Sequence, residues 1–86
     1  MKHHFLKTWP KHFDAVARGE KTFEARKNDR DFQVGDTLTL QRFDQKTGQF
    51  TGAEIDKRIS HILHGGAYGI AEGHCILSLQ EVSDAS

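Results

Sequence analysis

Only one stretch of this chain carries a helical pattern, and it is short. Trp9, Phe13, Val16 and Ala17 recur at i, i+4, i+7 and i+8, the spacing of a single helix face. Thr8 offers an N-cap, Pro10 is tolerated in a first turn, and Gly19 is a natural left-handed stop. The pattern predicts a helix over Pro10 to Arg18, with Trp9 on its core face. The remainder reads at a period of two or as turns. His3 to Lys7 forms a first strand. Lys21 to Arg26 forms a second, and Thr37 to Phe43 a third with Leu38 and Leu40 inward. Asp44 to Gln49 has hairpin composition. A long return strand starts at Phe50, with Gly52 marking a bulge, and Ala53, Ile55, Ile59 and Leu63 share one phase. His74 to Val82 closes the set with Cys75, Leu77 and Leu79 on one face.

One helix and about five strands, joined largely by hairpins, predict an α+β, mainly β fold: a small β-barrel with one short N-terminal helix. The expected core is Phe23, Leu38, Leu40, Ile55, Ile59, Leu77 and Leu79 with Phe13 and Val16. The chain has 86 residues, enough for one domain spanning 1–86, with residues 83–86 expected to fray. Its single cysteine, Cys75, excludes an intrachain disulfide, so stability must come from packing. No apolar run approaches the ~20 residues of a membrane span, and Met1 to Lys7 lacks the apolar region of a signal peptide. These features predict a soluble, cytoplasmic protein with no membrane partner.

The chemistry concentrates between Gly19 and Asp36. Lys21, Thr22, Glu24, Arg26, Asn28, Asp29, Arg30 and Asp31 fall within eleven residues. Strand alternation puts Thr22, Glu24 and Arg26 on one face and Phe23 and Ala25 on the other, as core anchors. Lys21, at the strand's first residue, can curl round its end and join the polar face. Two readings stay open: a small polar site, or the charged solvated face of an edge strand. Asn28-Asp29-Arg30-Asp31 is equally a turn, built by Asn and Asp, or a loop that reads a base and meets a phosphate. Phe32 and Val34 are read as pegs holding this loop to the body.

Other motifs carry less. His61 and His64 are three apart, which on a strand points them to opposite faces, and no Cys/His cluster completes a metal site. No metal and no cofactor is expected. Gly65-Gly66-Ala67-Tyr68-Gly69 matches neither a phosphate-binding P-loop nor a dinucleotide fingerprint. Tyr68 is read either as a plug for the barrel end or as a stacking platform. His3, His4 and His12 are read as surface residues. The formal charge is zero, with twelve basic and twelve acidic side chains. That argues against strong non-specific duplex DNA binding, which rests on many phosphate contacts, but allows a local basic cleft.

A wider pattern joins these residues. Leu6-Lys7, Pro10, Phe13, Val16, Gly19, Lys21-Thr22-Phe23-Glu24 and Arg26 through Asp36 occur in the order and spacing of a known group. The chain resembles the ASCH-like branch of the PUA-like superfamily, closest to short bacterial and phage proteins of unknown function within it. Gly65-Gly66, Tyr68-Gly69 and Glu72-Gly73 resemble that group's glycine-rich loop before the last strand. The resemblance implies a small β-barrel with a cleft between the first helix and the strand at Lys21, and an association with RNA. One branch of relatives hydrolyses the acetyl amide of N4-acetylcytidine with a lysine at the position of Lys21. Its threonine is replaced here by Glu24, and the later helical insertion that carries its glutamate has no counterpart. Another branch is similar in being ribonucleases.

Three functional expectations follow. The first is an RNA- or nucleotide-binding module, with Lys21, Arg26 and Arg30 on phosphates and Glu24 or Asn28 on a base. In this module Thr22, Asp29 and Tyr68 complete the contact set. The second is a small hydrolase of a modified nucleoside, or a ribonuclease, with Lys21 and Glu24 as an acid/base pair. The third is an interaction module whose Lys21 face is inert. The oligomeric state stays open.

Overall fold

The computed structural model describes residues 1–82. The expected fraying of 83–86 lies outside the described residues. In chain order the elements are β1 (His3–Thr8), α1 (Pro10–Ala17), β2 (Phe23–Lys27), β3 (Thr37–Asp44), β4 (Gln49–His64) and β5 (His74–Glu81). The strands form one sheet in the order β1-β3-β4-β5-β2. β1 runs parallel to β3, and the other pairs are antiparallel. The sheet curls into a half barrel around Phe13 and Val16 of α1 and the inward row Leu6, Leu38, Leu40, Ile59, Cys75, Leu77 and Leu79. The predicted fold class is therefore observed.

The connection through α1 separates two strands that are consecutive in sequence. β1 takes one edge of the sheet and β2 the opposite edge. Curling brings these edges face to face, and side chains span the gap. Arg26 Nη2 donates to the Lys7 carbonyl at 2.6 Å, and Arg30 Nη1 donates to the Phe5 carbonyl at 2.7 Å. Each guanidinium satisfies an edge carbonyl that would otherwise invite another strand. Helix α1 is held to β3 by a two-pronged pair, Arg42 Nε to Asp14 Oδ1 at 3.0 Å and Arg42 Nη2 to Asp14 Oδ2 at 3.2 Å.

Several expectations need correcting. The β2 phase is inverted: Phe23 is 45 % exposed and Glu24 only 4 %. The reason is register. Glu24 lies opposite Leu77 and Arg26 opposite Cys75, and directly opposed residues share a sheet face. Leu77 and Cys75 point inward, so Glu24 and Arg26 must do so too. Val34 is exposed while Phe32 alone pegs the loop. The shared phase of β4 fails beyond Ile59, because Ile59 pairs with Leu79 and His61 with Ser78. The extra residue, Ser60, moves the inward position from Leu63 to Ile62, which packs on the core. A second irregularity sits where expected, between the Gln41–Glu54 and Phe43–Phe50 pairs, beside Gly52 with its φ of +92°.

His4 is buried rather than on the surface. Its Nε2 lies 2.9 Å from Asp36 Oδ2, and its ring packs edge-on against Phe32. Asp36 also accepts from the backbone N–H groups of Lys2 and Gln33, each at 3.0 Å. One carboxylate thus ties the start of β1 to the turn before β3. Tyr68 neither plugs the barrel nor packs on it: it is 84 % exposed with a φ of +57°.

Candidate functional site

A cleft of about 310 Å³ opens where the end of β1, the start of α1 and β2 converge. Its floor is Glu24. The inverted phase of β2 buries this carboxylate on the concave face, and two cations meet it there. Arg26 Nε donates to Glu24 Oε2 at 2.8 Å, and Lys21 Nζ stands 3.7 Å from Oε1. The chain from Gly19 to Lys21 passes directly from the helix end into β2, with Lys21 N bonded to the Ala15 carbonyl at 3.1 Å. That short link carries the Lys21 ammonium back over the cleft. Its Nζ also donates to His12 Nδ1 at 2.9 Å and lies 5.2 Å from the Phe23 ring centroid.

The walls come from residues on either side of Pro10. Thr8 ends β1 rather than capping the helix. Its hydroxyl donates to the Leu6 carbonyl at 3.1 Å and lies 3.4 Å from Arg26 Nη2. Trp9 is the N-cap residue, with φ −66° and ψ 150°, so it stands outside the helix and the helical phase does not govern it. Instead of joining the core it is 54 % exposed on the cleft wall. Lys7 and Lys27 complete a lining that holds four basic residues, Lys7, Lys21, Arg26 and Lys27, and one acidic residue, Glu24. A neutral chain thus concentrates positive charge in one concavity beside an exposed indole.

The structure brings Lys21, Glu24 and Arg26 together. Thr22 lies on the other side of Lys21, in a separate depression with Val16, Lys57 and Leu79. Asn28 caps its own loop, its Oδ1 accepting from Phe32 N at 3.2 Å. Arg30 is engaged at the β1 edge, 4.0 Å from Asp29, which is exposed. Tyr68 is not part of the cleft wall. Sequence reasoning missed Lys7, Thr8, Trp9, His12 and Lys27. Trp9 and His12 flank Pro10, and a tryptophan immediately before a helix-starting proline is the signal that it sits at a cap. Lys7 and Lys27 reach the site only through the curl of the sheet, which no local pattern encodes. Among the described residues, no cluster of three or more His, Cys, Asp or Glu side chains is spaced to hold a metal ion. No helix among them is long and apolar enough to cross a membrane.

Residues 3–79, which include every element of the cleft, match the family described as a domain of unknown function, DUF3850. The chain belongs to the DUF3850 family. Among curated proteins this DUF3850 chain is similar to an uncharacterized 12.9 kDa protein from the GpA 3′ region of Escherichia phage P2, with 43 % identity over 61 residues. That match takes in 71 % of this chain and 54 % of the phage protein, so the DUF3850 chain spans about half the length of the curated relative.

Proposed function

We propose that the cleft binds a nucleotide unit of RNA, with Lys21, Arg26 and Lys27 facing phosphate and Trp9 stacking on the base. The observation that carries this reading is the pairing of an exposed indole with four cations in one 310 Å³ concavity. Sequence-tolerant single-strand sites combine those two features, because phosphate needs positive charge and every base has a π face. The likeness to the ASCH-like branch of PUA-like proteins supports the same reading. Glu24 acts here as the anchor that sets the Lys21 and Arg26 positions, since both its oxygens face cations.

Trp9 is the chain's one tryptophan, so it reports on its own site. Titrating nucleosides, nucleotides and short RNAs at low salt while following its fluorescence is the direct test. Saturable quenching by nucleotides but not by inorganic phosphate is the expected result. No saturable change with any ligand overturns the proposal.

The contact between Lys21, Glu24 and His12 favours one second reading, hydrolysis of a modified nucleoside or of RNA. Turnover in the same panel, lost on Glu24→Gln by ~10²–10⁴-fold with binding retained, would establish it. The expected result is no turnover, because Arg26 Nε holds Glu24 Oε2 at 2.8 Å and the Lys21 ammonium faces Oε1.

A further inference from the structure

One group on the cleft wall is tied to Lys21 by a bond that only one of its two protonation states can make. His12 lines the cleft, and its Nδ1 lies 2.9 Å from Lys21 Nζ. An ammonium carries three donors and no lone pair, so the ring nitrogen facing it must be the acceptor. The bond therefore requires a neutral imidazole with its proton on the other nitrogen. Histidine is the side chain whose ordinary charge change, at a pH of about 6.5, falls in the physiological range.

The surroundings of His12 hold no anion free to meet a second proton on the ring. β1 brings Lys7 to the cleft, and the chain into and along β2 brings Lys21, Glu24, Arg26 and Lys27. Glu24 is the one acidic residue among them, and it already faces Arg26 and Lys21. Along its own segment, the residues three and four positions away are Thr8, Trp9, Ala15 and Val16, none of them charged. Lys11, next to it in sequence, is basic, and Asp14 is held by Arg42. A protonated ring at this position would face an ammonium with no acceptor between them. An anionic oxygen seated between the two removes that conflict, because it accepts from both.

We infer that His12 is the proton-dependent phosphate contact of the cleft. Neutral, it occupies one donor of Lys21. Protonated, it releases that donor, and imidazolium and ammonium hold one phosphate from two sides through charge-assisted bonds. Phosphate binding then takes up a proton, and by reciprocity acid strengthens phosphate binding. The inference rests on the proposed nucleotide site and adds its regulation by pH.

The test is calorimetric titration with the dinucleotide uridylyl-uridine between about pH 6 and about pH 8. Its phosphodiester keeps one charge throughout, whereas a terminal phosphate ionises a second time at about pH 6. Wild type is compared with His12→Gln, whose amide oxygen can accept from Lys21 but takes up no proton. Thermal melts at each pH confirm that both proteins are folded. Wild-type affinity rises roughly fivefold or more from the alkaline to the acid end. Heats measured in buffers of different ionisation enthalpy show proton uptake on binding. His12→Gln shows neither effect, although it retains His3, His4, His61, His64 and His74. Wild-type affinity that stays level or falls toward acid, or a rise that His12→Gln keeps, overturns the role of His12 and leaves the cleft standing. Absence of binding by uridylyl-uridine and by longer oligouridylates at every pH overturns both.

Discussion

Glu24 and Asp36 are both buried carboxylates, and they are held by opposite means. Glu24 is met by side-chain cations, which are then positioned at a cleft. Asp36 is met by His4 and by two backbone N–H groups, which fix the chain. Burial alone would raise the Asp36 carboxyl, but the bonds from His4, Lys2 and Gln33 outweigh it and hold the group below its ordinary 3.8. A carboxyl depressed in the folded state adds stability that is present above 3.8 and lost as pH falls through its lowered folded value. Asp14 has the same sign, lowered first by its bond to Arg42. Asp36→Asn should therefore cost about 1–3 kcal/mol near neutral pH, with bonds to the carboxylate lost. Urea denaturation should show the gap between wild type and variant narrowing at pH values below 3.8. A gap that stays constant through that range would show that the carboxylate form adds nothing. At the cleft, Lys21→Ala should weaken RNA affinity by ~1.5–3 kcal/mol through one lost charge-assisted contact. The logarithmic salt slope should fall by ~0.7, one single-strand phosphate, in binding isotherms at several salt concentrations.

Elements here take their positions from pairing more than from local pattern. Strands β3 and β5 were legible because Leu38/Leu40 and Cys75/Leu77/Leu79 alternate cleanly and each strand is central, with one face on the core. The helix was legible because Phe13 and Val16 repeat at its period. β2 was found but turned over. It is five residues long, too short for two apolar residues to outvote the register that β5 imposes. β4 was found whole but lost its phase at Ser60, because one inserted residue is invisible to a period of two. Leu79→Ala should cost ~2–5 kcal/mol, since the side chain is buried on the central face. Near-wild-type thermal stability for that variant would contradict the core assignment. The loop before β5 depends on Gly65, where an added Cβ would lie 1.9 Å from the Ala71 carbonyl oxygen. Gly65→Ala should lower the melting temperature by several degrees, through displacement of that backbone and of the Gly65–His74 bond.

At the scale of the whole molecule, the decisive event is the curl that brings the first and second strands of the chain together from opposite edges of the sheet. Local sequence carries Lys21, Glu24 and Arg26, and these converge. It carries no sign that Lys7 and Trp9 will face them, because that contact exists only once five strands have paired in order. The guanidiniums of Arg26 and Arg30 stand in the gap as the closing links. We propose that this gap, at its Trp9 end, holds a nucleotide. The most direct measurement is a backbone-amide and indole NMR titration with a short oligouridylate, which a chain of 86 residues allows residue by residue. Saturable shifts should cluster at Lys7, Thr8, the Trp9 indole, His12, Lys21 and Ala25 to Lys27, while Lys57 and Glu81, in the depression on the other side of Lys21, stay still. Shifts that fail to saturate, or that map to Lys57 and Glu81 and spare the Trp9 indole, would contradict it.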